Sequence, residues 1–118
     1  MPTNPNATLD LVGNFKASKS IVAGAQSLAT TFIDFSLGNT ATNIYDCAGA
    51  VTLNNLTSGG SYTLVITGTG TTQCNFIGGG GEVFKFVPAN TVRTAFSHTV
   101  YKMDKVGSIV YVSWKTGF

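Results

Sequence analysis

The chain has 118 residues, of which 43% are hydrophobic and only 10% charged, with a formal net charge of +2. That is one domain with enough apolar content for a core, outside the low-hydrophobicity, high-charge regime of disorder. No apolar run approaches the ~18 residues of a membrane span, and the 7 Lys and Arg are too scattered for a phosphate-binding stripe, so neither membrane insertion nor nucleic acid is expected.

In chain order, residues 1–28 carry little pattern and begin with Pro2 and Pro5, which resist strand pairing. They read as an N-terminal arm ahead of a domain spanning 29–118. The N-terminus lacks a basic stretch followed by an apolar one, so no secretory signal is expected. Leu9 to Phe15 and Ser20 to Ala25 are short candidate strands. Ala23 to Thr31 has neither a cap nor an apolar stripe and reads as loop or strand rather than helix.

The domain proper is predicted as strand throughout. Thr30 to Phe35 and Ala50 to Asn54 are short. Ser61 to Thr67 is rich in β-branched and aromatic residues. Glu82 to Val87 places Phe84 and Phe86 on one face by the period of two. Ser97 to Met103 and Ser108 to Lys115 form a hairpin about Asp104 to Gly107, where Asp bonds its own backbone and Gly tolerates positive φ. Turn signals at Gly38-Asn39, Ser58 to Gly60, Gly68 to Gly70 and Gly78 to Gly81 separate the strands. Short strands with glycine-rich turns predict an all-β fold, specifically an antiparallel β-sandwich.

Two strands are apolar on both faces. Tyr62, Leu64 and Ile66 oppose Val65, and Ile109 and Tyr111 oppose Val110, Val112 and Trp114. A strand apolar on both sides is covered on both sides. With no helices to cover the second face, further copies of the chain are the natural cover, with Val65, Tyr111 and Trp114 as interface residues; the alternatives are a larger aromatic surface and cover by the N-terminal arm.

Chemistry-bearing motifs are scarce. Cys47 and Cys74 read as buried free thiols behaving as small hydrophobes, with a mutual disulfide as the alternative. One His and no CxxC cannot make a zinc site, and no metal or cofactor is expected. Gly68-Thr69-Gly70 lacks the third glycine and following helix of a dinucleotide fingerprint and reads as a hairpin turn. Gly78 to Gly81 has no GK[ST] after it and reads as a flexible loop. No GxSxG elbow exists for a nucleophilic serine, and Ser97 and His98 would face opposite sides of a strand. The carboxyl supply is Asp10, Asp34, Asp46, Glu82 and Asp104, and nothing in its spacing pairs two of them about a glycosidic bond. The chain is not expected to be an enzyme.

Ile33-Asp34-Phe35-Ser36-Leu37-Gly38-Asn39 comes first, then Ala50 to Leu56, then Gly60-Ser61-Tyr62-Thr63-Leu64-Val65-Ile66, then Phe84-Lys85-Phe86-Val87-Pro88 and the terminal hairpin ending at Trp114 and Phe118. This order resembles the β-sandwich tip domains at the ends of bacteriophage tail fibres and related trimeric fibre adhesins of bacteria, over roughly residues 29 to 118. Phe35 stands where those fibres often have Trp. The middle segment around Cys74 is more glycine-rich than theirs. The resemblance implies a homotrimer, an extracellular place on a phage tail fibre or bacterial surface fibre, and an arm that joins a shaft. It also implies a receptor-binding tip that recognises a cell-surface glycan or another envelope component. A neutral surface of amides and hydroxyls suits sugar hydroxyls, since both groups donate and accept. By residue type and predicted exposure, the candidate contacts are Tyr45 for stacking, Asp46 and Asn90 for hydroxyls, Arg93 for an acidic group, and His98 beside them. Two rival readings stand beside this one. One is a trimerisation and capping module with no ligand of its own; the other is a polysaccharide-degrading tip, which the poor carboxylate supply disfavours.

Overall fold

The computed structural model describes residues 12–20 and 24–118. Its strands are β1 (Ala25–Leu28), β2 (Phe32–Asp34), β3 (Thr40–Asn43), β4 (Val51–Asn54), β5 (Ser61–Ile66), β6 (Phe76–Gly78), β7 (Val83–Val87), β8 (Thr99–Val106) and β9 (Ile109–Thr116). A single 3-10 turn at Phe35–Leu37 follows β2. The first six strands alternate between two sheets. β1, β3 and β5 stack in parallel in one, and β2, β4 and β6 stack in parallel in the other. Each consecutive pair makes one coil, and three coils stack as in a β-solenoid. The larger sheet then continues in the order β1-β3-β5-β8-β9-β7. β8 is antiparallel to β5 and β9, and β7 is parallel to β9.

The all-β class stands, but the antiparallel pairing expected from the sequence does not. Five of the seven strand pairings are parallel. A chain that crosses to the other sheet and returns re-enters in its original direction, whereas only a hairpin reverses it. The glycine signals at 38–39, 58–60 and 68–70 therefore mark corners between sheets. In particular, Gly68 to Gly70 lies in the long link from β5 to β6, not in a hairpin turn. The terminal hairpin is present with a tighter turn: Asp104 to Val106 belong to β8, and Gly107, at φ +62°, turns the chain. β3 and β6, each too short to show an alternation, had no counterpart in the sequence reading. β1 begins at Ala25, within the stretch read as an arm. Residues 12–20 form no strand, and the remainder of the two N-terminal candidates, Leu9 to Leu11 and Ile21 to Ala23, lies outside the described residues.

The core lies between the sheets. β5 alternates with Tyr62, Leu64 and Ile66 buried. They meet Ile33, Val51 and Leu53 from the smaller sheet and Tyr101, Met103, Val110 and Val112 from the hairpin. Trp114 stacks on Tyr101 at 5.6 Å between centroids, and Phe76 meets Tyr101 edge-on at 5.0 Å. Such aromatic pairs contribute about 0.5–1.5 kcal/mol beyond their buried area.

The segment Ile33 to Asn39 has a structural task at nearly every position. Ile33 is fully buried. Asp34 caps the 3-10 turn by accepting from the Ser36 N–H at 2.9 Å. Phe35 packs on Tyr62. Asn39 donates to the Ser61 carbonyl at 2.9 Å. Gly38 lies so close to the Gly24 backbone that a Cβ would overlap its carbonyl, so the first and second coils touch through two glycines. At the opposite corner, buried Asn43 donates to the Thr30 carbonyl at 2.8 Å and accepts from the Tyr45 N–H at 3.0 Å, tying the same two coils together.

Candidate functional site

Strand direction sorts the loops into two ends. One end carries the links 44–50, 67–75 and 88–98; the other carries 35–39, 55–60, 79–82 and the hairpin turn. The first end holds all five residues selected for ligand contact. There Cys47 and Cys74 form a disulfide across 27 residues, correcting the expectation of free thiols. The coil stacking brings their two links side by side, a proximity that spacing alone could not supply. Arg93 is 2% exposed. Its guanidinium pairs with the Asp46 carboxylate and donates to the carbonyls of Thr72 at 2.7 Å, Gly68 at 3.3 Å and Asp46 at 3.1 Å. The expectation of an exposed arginine facing an acidic sugar is therefore corrected: its donors are held inside the protein.

Asn90 donates to the Cys74 carbonyl at 2.7 Å, while its buried Oδ1 has no partner. The half-buried Tyr45 accepts at its hydroxyl from the Gly49 N–H at 2.8 Å. His98 is exposed, its backbone paired with Phe118. The structure thus brings Asp46 and Arg93 into contact, sets Asn90 on the disulfide, and leaves His98 outside that network. Beside His98, Phe96 is 87% exposed and held at φ +54°, where a non-glycine residue is uncommon. Deeper in, burial pushes the Tyr101 hydroxyl up to about 12, with the Arg93 charge opposing.

The outer face of the six-stranded sheet is the second feature. Val65 and Tyr111 point to it, as their alternation with buried neighbours requires. Trp114 does not: it faces the core at 8% exposure, and its indole N–H donates to the Pro88 carbonyl at 2.8 Å. Register places Val83, Ile109 and Val106 in one row across this face, and Val65 beside Val100 in another. Between them run Lys85, Tyr111, Asp104 and Ser61. Val83, Val106 and Tyr111 are each about half exposed or more.

At the second end, the Gly78 to Gly81 segment read as flexible forms a closed turn, with the Gly81 N–H on the Gly78 carbonyl at 3.0 Å. A cavity of about 230 Å³ opens there, lined by Asn54, Asn55, Gly79, Gly80, Glu82 and Lys105. The Glu82 side chain is 2% exposed. It accepts from the Gly80 N–H at 2.9 Å and from Lys105 Nζ at 3.3 Å. Burial pushes its carboxyl up, but these hydrogen bonds and the Lys105 charge outweigh that and hold it below its ordinary value. Asp34 is held low by hydrogen bonds from the Asn55 side chain, then the Ser36 hydroxyl and N–H. A glycosidase acid needs a raised carboxyl, so this pair is poorly suited to proton donation near neutral pH. Sequence reasoning passed over Asn54, Asn55 and Lys105. The available signal was the Asn54-Asn55 doublet at a strand end, and its partner glycines lie more than twenty residues away.

No family model, no curated protein and no solved structure matches this chain.

Proposed function

We propose that this domain is the receptor-binding tip of a trimeric extracellular fibre, a non-catalytic adhesin for a cell-surface glycan or envelope component. The observation that carries the reading is the exposed apolar row on the outer face of the six-stranded sheet. It presents Val83, Val106 and Tyr111 to solvent, while Phe118 lies against the far part of the same face, beside Val100 and Lys115. Two further copies would cover these rows, with Lys85 and Lys102 of one copy near Asp104 of another. The resemblance of the Ile33 to Asn39 and Gly60 to Ile66 segments to fibre tips supplies the threefold number. Three weak sites on one axis would then gain avidity through effective concentration. The exposed Phe96 and His98, rather than Arg93, are the contacts this reading favours at the disulfide end.

Light scattering of the purified chain after gel filtration tests the assembly. A mass of three chains is expected, falling to one in Val65→Glu or Tyr111→Glu. A wild-type monomer would sink the reading. The capping module remains the second reading, favoured by the internal use of Asp46, Asn90 and Arg93. Labelled protein that trimerises but leaves every cell type unlabelled would select it.

A further inference from the structure

We propose that the cavity between the Asn54-Asn55 corner and the Gly78 to Gly81 turn binds a single neutral sugar ring through its hydroxyls. The proposal rests on the receptor-binding reading above and gives it a site at the end opposite the disulfide. Three properties of the cavity carry it.

The first is charge. Glu82 and Lys105 neutralise each other at 3.3 Å and the Asp34 carboxylate sits on Asn55 at 2.7 Å, so the cavity offers a free anion no unpaired cation. The second is directional capacity. Asn55 gives its amide N–H to Asp34 at 2.7 Å, which leaves its carbonyl oxygen to accept. Lys105 gives donors to the Leu56 carbonyl at 2.9 Å and to Glu82, and an ammonium has three. Asn54 brings an amide that both donates and accepts. A sugar hydroxyl also does both, and so can match each of these groups. The third is rigidity. Glu82 is fixed from two sides and Lys105 from two, so little side-chain freedom is lost on binding.

The glycines make the geometry possible. A Cβ on Gly79 would fall on the Asn54 amide oxygen, and Cβ atoms on Gly78 and Gly80 would fall 2.6 and 2.8 Å from the Glu82 carboxylate. The side chains that line the cavity therefore occupy space that any other residue would fill. On the outer face of the three-stranded sheet, one row from Asn54, lie Phe32 and Ile77, 62% and 53% exposed. About 230 Å³ is below the roughly 300–1,000 Å³ of pockets for drug-sized ligands, which suits one ring and not an oligosaccharide.

The test is amide chemical-shift mapping of the full chain with the methyl glycosides of glucose, galactose and mannose, and with glucuronate as the charged control. Cell labelling is run in parallel. At least one neutral glycoside is expected to move the amides of Asn55, Gly79, Gly80 and Lys105. Glucuronate should bind no more tightly. Asn54→Ala should weaken binding about tenfold, the worth of one or two net hydrogen bonds, and Thr91→Ala, exposed at the disulfide end, should leave it unchanged. Shifts confined to other residues, or tighter binding of glucuronate, would overturn the assignment. No shifts with any glycoside while cells are labelled would overturn the site and leave the receptor reading standing. Neither shifts nor labelling would end both.

Discussion

The two ends of the domain hold their loops by different means. At the disulfide end a covalent bond and a buried guanidinium cross-link three links that are far apart in sequence. At the glycine end no covalent bond acts; Gly38 and Gly79 let backbone and side chains approach closely, and Glu82, Lys105 and Ser58 bridge the turns. The first end turns the Arg93 guanidinium and the Asn90 amide N–H inward onto carbonyls of its own links. The second keeps amide and ammonium groups facing a cavity. An end built on close approach is sensitive to single methyl groups.

Perturbations that act on one end only would sharpen this contrast. The largest effect is expected from Arg93→Ala, which strands the carbonyls of Gly68, Thr72 and Asp46 and unpairs the Asp46 carboxylate. Breaking a buried pair costs roughly 3–5 kcal/mol. Three carbonyls lose their donor as well, which puts this case toward the upper figure even with the Asp46 side chain partly exposed, read from urea unfolding. Next is loss of the disulfide in the Cys47→Ser, Cys74→Ser double variant. Releasing a loop of 27 residues lowers stability by roughly 3.5 kcal/mol by the chain-entropy relation. A change in the unfolding midpoint under reducing conditions would show it. Neither variant should alter shifts at Gly79 and Gly80.

Gly38→Ala acts from the other end. Its Cβ would overlap the Gly24 backbone, which cannot rotate away as a side chain can. Overpacking of this kind costs typically 1–3 kcal/mol, and thermal unfolding would register it. The smallest effect is pH dependence. Asp34 and Glu82 bind protons less readily folded than unfolded. Their stabilisation is complete above their ordinary values of 3.8 and 4.5 and is lost as pH falls through the lower folded values. Glu82→Gln should flatten the acid limb of a melting-temperature profile; an unchanged limb would mean that Glu82 contributes nothing there.

What the sequence showed and concealed follows from the range of each signal. β5, β7 and the β8–β9 hairpin were legible because their alternation or turn chemistry is local. β3 and β6 are too short to alternate visibly. The parallel stacking was hidden because a coil corner and a hairpin turn use the same residue types, glycine, serine and asparagine. The disulfide and the Arg93 network were hidden for a related reason. They join links that are adjacent only once the coils have stacked, so an arginine in a polar loop read as exposed. Asn54, Asn55 and Lys105 came together by the same stacking at the other end.

The hairpin that follows the parallel rungs also sets an order of assembly. Val106 meets Ile109 across three residues, whereas Thr40 meets Thr63 across 23. By the logarithmic dependence of closure entropy on length, the first contact costs about 2 kcal/mol less to close. The C-terminal hairpin is therefore the favoured nucleus, and the coils add to it backwards, β5 before β3 and β3 before β1. Synthesis runs the other way. The first coils are made before the hairpin that templates them, so β1 and β2 are sheltered from pairing with another chain later than β5. Mutations in β8 and β9 should slow refolding, whereas those in β1 should mainly speed unfolding.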